Sequence, residues 1–320
     1  MLRLIGVGDN VVDCNYTTGI MYPGGNSLNF SVYGRQLGHE TAYAGVLGTD
    51  IQADMVVHAL EDKGVDISRC VRVQGETGIC GIRLKDGDRT ITDENDAGVV
   101  KSHPMQITEE LLEYIKTFDV VHSSCFSHIE DQLIKIRETG VPLLYDFSDV
   151  WEEEDLAAVC PDITIAFFSG KDLGEEKLKE LLHRCVHGYG CRLAVTTIGS
   201  RGAIVYNGRK YYRKLPYNFE APVADTTGAG DSWITAFISS YIENEGRMAR
   251  LHEEQLPDFT RQADREDYED QLIEFSMCAG NLLARHNCLV EGSFGYGTAF
   301  LPSDLRKEAG PAVRDRRESI

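Results

Sequence analysis

Short apolar runs and longer amphipathic stretches alternate along most of this 320-residue chain. Residues 4–7, 42–46, 120–123, 143–147, 164–168 and 193–197 are compact apolar runs that read as core strands. Residues 26–37 and 51–63 read as helices. Thr108 stands where it would cap a helix presenting Leu111, Leu112, Ile115 and Phe118 on one face. This alternation favours an α/β fold with a mostly parallel central sheet flanked by helices.

Three segments break the rhythm. Residues 77–92 alternate polar and apolar positions and contain Asp86-Gly87, a hairpin turn signal. Segments of about 14–22 and 77–97 are expected to form a small β-sheet standing off the main body as a lid over a cleft. Residues 243–269 are strongly charged around Pro257 and read as a surface excursion between two helices. Residues 301–320 read as a polar, mobile tail, leaving 1–300 as one domain.

With 42% hydrophobic residues the chain can bury the core of one large domain. Its first residues look like a buried strand rather than a signal peptide, and no apolar run nears the roughly 20 residues of a membrane span. The nine cysteines are odd in number and lack CxxC spacing, as expected of reduced thiols in a cytoplasmic protein. A net charge of −19 repels nucleic acid and anionic membranes, so neither is an expected partner. Any anion site must therefore be built locally.

Such a site is visible at Asp225-Thr226-Thr227-Gly228-Ala229-Gly230-Asp231, which leads into a helix with Trp233, Ile234, Phe237 and Ile238 at core spacing. The first N–H groups of a helix lack internal acceptors, and the helix dipole favours negative charge there. An anion is expected against the amides of Gly228, Ala229 and Gly230. An acid in that place is useful if it accepts the proton of an attacking hydroxyl, which makes Asp231 the candidate general base. Taken alone, the motif also fits an ordinary first-turn acid beside packing glycines.

A second motif, Gly24-Gly25-Asn26-Ser27-Leu28-Asn29, opens another helix, with Asn29 one turn beyond Asn26. Asp13, taken as the end of the first strand, is near enough in sequence to help bind ligand hydroxyls. By itself this pattern is a turn and a helix start.

Together, and in this order, the two motifs resemble the hallmarks of the PfkB/ribokinase family of sugar kinases. Thr197-Ile198-Gly199-Ser200-Arg201-Gly202 is similar to that family's nucleotide-site turn. The resemblance implies a ribokinase-like fold, ATP and Mg2+, a β-lid over the sugar, and pairing of two copies through that lid. It implies Asp231 as base, with Gly228, Ala229 and Gly230 as anion hole. Asp13, Gly25 and Asn29 would bind the sugar, and Thr197, Gly199, Gly202 and Asn281 would border ATP. Asp225 and Thr227 would hold a monovalent cation such as K+. Where the family has N-x-x-E for its magnesium network, this chain has Ser169-Gly170-Lys171-Asp172, leaving Asp172 to reach Mg2+ through water.

Residues 8–13, 92–98, 128–131 and 146–151 narrow the resemblance to fructoselysine 6-kinases, which phosphorylate a glycated amino acid. Asp93, Glu94 and Asp96 would then attract its ammonium group, though such an acid run also fits a solvated loop. Rival readings are a fructokinase-like or other ketose kinase, and a non-catalytic relative that binds sugar or nucleotide. A dinucleotide fingerprint fails because Val11 stands at its third glycine, and no P-loop sequence occurs. His122 and His128, flanking Cys125, are expected to be structural or to line the substrate rather than bind metal.

Overall fold

The computed structural model describes the backbone of residues 1–85, 88–218, 220–254 and 262–300. Side chains are described throughout these except at 84–85, 88–90, 93–95, 248–254 and 262–265. The turn at 86–87 and the tail at 301–320 lie outside the described residues.

Strand β1 (Arg3–Gly8) breaks at Asp9 and Asn10, and β2 (Val11–Asn15) and β3 (Ile20–Gly24) follow as an antiparallel pair. Next come α1 (Asn26–Gln36), β4 (Glu40–Leu47), α2 (Ile51–Lys63) and β5 (Val71–Arg72). A second antiparallel pair, β6 (Thr77–Lys85) and β7 (Asp88–Gly98), leads to α3 (Val99–Ser102) and α4 (Glu109–Ile115). Then β8 (Val120–Ser124), α5 (Leu133–Arg137), β9 (Leu143–Asp146), α6 (Glu153–Val159), β10 (Ile165–Ser169), α7 (Glu175–His183) and β11 (Leu193–Thr197) alternate. The chain continues through β12 (Ala203–Tyr206), β13 (Tyr211–Lys214), α8 (Ala229–Glu254), α9 (Gln262–Asn287) and β14 (Thr298–Ala299).

The larger sheet has the order β13-β12-β11-β10-β9-β8-β1-β4-β5. It is parallel from β11 to β5, and β12 and β13 are antiparallel at one edge. Because side chains alternate across a strand, each strand feeds two cores. Ile165 and Phe167 of β10 pack with Trp233, Phe237 and Met277 of α8 and α9, whereas Ala166 and Phe168 pack with Leu178 and Leu181 of α7. Cutting the fully buried Phe237 to alanine would cost about 3–5 kcal/mol. Among the described residues no helix is long and apolar enough to cross a membrane.

A smaller five-stranded sheet has the order β14-β3-β2-β6-β7. Asp13 belongs to it. The first strand ends at Gly8, and Asp13 lies in the middle of β2, opposite Tyr22 of β3 and Cys80 of β6. The expectation that it closes the first strand is thus corrected; the break at Asp9 and Asn10 moves the chain from one sheet to the other.

The charged segment 243–269 is likewise not an excursion where it is described. Residues up to 254 prolong α8 and residues from 262 begin α9. Polar contacts replace a wide apolar face there: Tyr268 Oη donates to the Asn244 carbonyl, and Arg247 pairs with Glu243 one turn away. Pro257 lies outside the described residues. Thr108 caps α4 by accepting the Leu111 N–H at 3.3 Å, but that helix ends at Ile115, before Phe118.

Candidate active site

The β3–α1 turn is built around two carboxylates. Gly25 has φ 113°, a conformation favouring glycine, and a Cβ there would lie 2.7 Å from the Asn10 Cα. A Cβ on Gly24 would lie 2.4 Å from Asp13 Oδ2, so glycine leaves room for that carboxylate. Asp9 fills the mouth of α1, accepting the N–H groups of Asn26 (2.6 Å) and Ser27 (3.1 Å). It also accepts the hydroxyls of Ser27 (2.8 Å), Ser124 (2.8 Å) and Ser127 (3.2 Å). Asp9 is thus the structural cap of α1.

The mouth of α8 faces the same helix. Asn29 Nδ2 donates to Asp231 Oδ2 at 2.7 Å and lies 3.1 Å from Ser293 Oγ, to which it also donates. Asn29 Oδ1 is buried with no hydrogen-bond partner among the described residues. Gly228, at φ 72°, would drive a Cβ to 2.3 Å from the Tyr33 hydroxyl, which donates to Asn287 Oδ1 and the Ser293 carbonyl. Asn287 in turn donates to the Thr227 carbonyl at 2.7 Å. Around Gly230 a Cβ would meet nothing within 4 Å. The protein itself demands glycine at 228 and leaves space at 230. The Ala229 N–H donates to the Thr226 carbonyl at 3.2 Å, so that expected anion-hole donor already has an internal acceptor.

Asp225 is buried, with Oδ1 accepting the Thr227 N–H at 2.9 Å and Oδ2 the Gly292 N–H at 3.0 Å. The neighbouring Thr227 hydroxyl is buried without a partner among the described residues. A buried carboxylate beside an unpaired hydroxyl oxygen fits a small cation.

A further carboxylate is Asp146, which opens the 146–151 segment of the sequence resemblance but was given no role there. It ends β9, 5% exposed, and accepts Asn26 Nδ2 at 3.1 Å and the Ser148 N–H at 2.8 Å. Burial, then the charge of Asp231, then that of Asp9 push its carboxyl up to about 7, against the bonds from Ser148 and Asn26. Its place at the carboxyl end of a parallel strand, where α/β sheets bind ligands, is the cue that could have found it. Ser293, Asn287 and Tyr33 carry no such cue.

The other candidates follow the same edge of the sheet. Thr197 ends β11, paired with Ser169 at the end of β10. Gly199 and Gly202 shape the turn into β12, and a Cβ on Gly202 would lie 2.0 Å from the Lys214 carbonyl. Arg201 Nη2 donates to the carbonyls of Gly170, Lys171 and Leu173, tying that turn to the 169–172 segment. Asp172 there is exposed. Asn281 is buried: its Oδ1 accepts Trp233 Nε1 at 2.9 Å and its Nδ2 donates to the Leu215 carbonyl at 2.6 Å. Its amide therefore braces α9 against α8 and the chain leaving β13. Asp93 and Glu94 lie on β7, with side chains outside the described residues. His122 is buried and stacks on Phe30, a structural place. Among the described residues no three His, Cys, Asp or Glu side chains are grouped to hold a metal alone. An exposed Asp172 suits a hydrated magnesium ion that arrives with phosphate.

Solved structures with this fold include a ribokinase of Giardia lamblia, at TM-score 0.73 and 15% identity, covering 92% of this chain and 95% of that one. An Arabidopsis thaliana ribokinase complexed with ribose and ATP gives 0.68 and 19%, covering 91% and 94%. By sequence the chain is 33% identical over 304 residues to fructosamine kinase FrlD of Bacillus subtilis strain 168, spanning 95% of this chain and 96% of that protein. It is 29% identical over 241 residues to fructoselysine 6-kinase of Escherichia coli K12, spanning 75% and 90%. Residues 4–250 match the description of a pfkB family carbohydrate kinase. The two glycine-led helix mouths, joined through Asn29 and Asp231, therefore stand in a ribokinase-like fold, and the chain belongs to the PfkB family of carbohydrate kinases.

Proposed function

We propose that this kinase transfers the γ-phosphate of ATP to the 6-hydroxyl of fructoselysine or a related Amadori product, with Asp231 as general base. The observation that carries the proposal is the 2.7 Å bond from Asn29 to Asp231, which sets one carboxylate between the two motifs. A carboxylate fixed at that point accepts the proton of a hydroxyl as it attacks phosphorus. Asp13 and Asn29 would hold the sugar, with Gly25 giving it access. The open space at Gly230 suits an oxyanion close to the α8 mouth. The edge formed by Thr197, Gly199 and Gly202 would border the nucleotide, with the backbone near Asn281 by its base.

Magnesium, when bound, supplies charge neutralisation on the phosphates, and Asp172 would hold its water shell. Asp225 and Thr227 would hold a monovalent cation. The smaller sheet would serve as the lid, and its edge strand β7 as a surface for a second copy. Two of the relatives, named for fructosamine and fructoselysine, support an Amadori substrate. Its ammonium would meet Asp93 and Glu94. Turnover of ATP with fructose, fructoselysine, glucoselysine and ribose tests the substrate. Fructoselysine is expected to give the highest kcat/KM; fructose best by a wide margin would overturn the Amadori assignment.

A further inference from the structure

Outside the acidic cleft, β13 and α9 bring together a thiol, an ammonium and a phenol. Lys214 Nζ donates to Cys278 Sγ at 3.1 Å and to the Glu274 carbonyl at 3.2 Å. The Tyr217 hydroxyl hydrogen-bonds the same sulfur. Cys278 is half-buried, so reagents can reach it, whereas Cys14, Cys160, Cys185 and Cys191 are buried. Desolvation pushes the Cys278 thiol up and the Glu274 charge does the same. The bonds from Tyr217 and Lys214, with the Lys214 charge, outweigh them and hold it below the ordinary thiol value. Burial instead pushes Cys70 up to about 12 and lifts Cys125 and Cys288 as well.

A second, independent feature surrounds the cluster. Phe275 and Leu282, three residues before and four after Cys278 on α9, are 62% and 57% exposed. Leu215, next to Lys214, is 63% exposed. These exposed apolar side chains lie on the two segments that carry the cluster and offer apolar surface beside it. Asn281 fastens Leu215 to the same stretch of α9, so a group added to the sulfur would stand in this patch.

We propose that Cys278, held by Lys214 and Tyr217, is a hydroperoxide-reactive site whose oxidation obstructs the patch that receives the nucleotide base. The thiolate attacks one peroxide oxygen. An S–O bond forms and the O–O bond breaks, sulfur loses two electrons, and the departing hydroxide takes a proton from Lys214 or solvent to leave water and a sulfenic acid. The modification site stands on the cluster alone; its effect on the nucleotide rests on the kinase reading above.

The test exposes the full-length protein to hydrogen peroxide with a sulfenic-acid trap and maps labelling by mass spectrometry. Cys278 is expected to label roughly tenfold faster than the other cysteines, and Lys214→Met to remove most of that advantage. Because the Lys214 variant can also disturb β13, the pH dependence of Cys278 alkylation is measured in the parent. Its midpoint should fall below that of an ordinary thiol. Uniform labelling, or an ordinary midpoint, would overturn the site. The ATP analogue AMP-PNP with magnesium is expected to slow labelling of Cys278. Selective labelling that the nucleotide leaves unchanged would overturn the obstruction while leaving the kinase reading untouched, since the sugar panel decides that separately.

Discussion

Asp231 lies close enough to Asp146 that burial first, and the Asp231 charge second, push the Asp146 carboxyl up to about 7. Asn26 and Asn29, one turn apart on α1, each donate an amide N–H to one of them.

Stability should follow that titration. The folded Asp146 binds its proton more tightly than the unfolded chain does, so its contribution is fully present below the unfolded carboxylate value. It is lost as pH rises through about 7. Asp146→Asn, which mimics the protonated form, should flatten this loss. Thermal unfolding from pH 5 to 8.5 should show the variant gaining on the parent as pH rises, by on the order of a few kcal/mol at most. Parallel curves would mean that Asp146 is ionised throughout.

The glycines of the α8 mouth should separate by what needs them. Gly228→Ala forces a Cβ against the Tyr33 hydroxyl at positive φ, and should cost about 1–3 kcal/mol in chemical denaturation. Gly230→Ala meets open space within a helix and should fold as well as the parent. If phosphate occupies that space, the same change should lower kcat/KM for ATP by roughly 100-fold. A fully active Gly230→Ala enzyme would place the phosphate elsewhere.

Asp9 should matter to the fold rather than to chemistry. Asp9→Ala leaves two amides of α1 and the hydroxyls of Ser124 and Ser127 without this acceptor, and Ser27 Oγ with the Val7 carbonyl instead, a loss on the order of 3 kcal/mol or more. Denaturant unfolding measures it. A loss under about 1 kcal/mol would mean that water replaces the carboxylate.

Strands β1, β4 and β8 to β11 of the large sheet were readable because each apolar run is buried on both faces, as Ile165 to Phe168 illustrate. Strands β5, β12 and β13 at its edges were not read, β5 being exposed at both residues. Nor was β14, since Thr298 and Ala299 join the small sheet through backbone bonds that leave no pattern in side chains. The charged ends of α8 and α9 hid their helicity because ion pairs and single polar bonds, rather than an apolar stripe, support them. Asp231 and Asn29 showed through as motif residues. Asp146 stood in the 146–151 segment without a role and Ser293 in no motif, because each comes to the site from a distant strand or loop, and only the fold sets Ser293 beside Asn29, 264 residues away. Asn281 looked like a nucleotide contact in sequence, yet its amide is engaged by Trp233 and Leu215.

The central claim is that the carboxylate held by Asn29 takes the proton of the attacking hydroxyl. Asp231→Asn keeps the shape of that side chain and removes its basicity. ATP turnover with the best sugar of the panel should fall by about 100- to 10,000-fold, with the unfolding midpoint and sugar KM near those of the parent. Equal turnover in a folded Asp231→Asn protein would contradict the account.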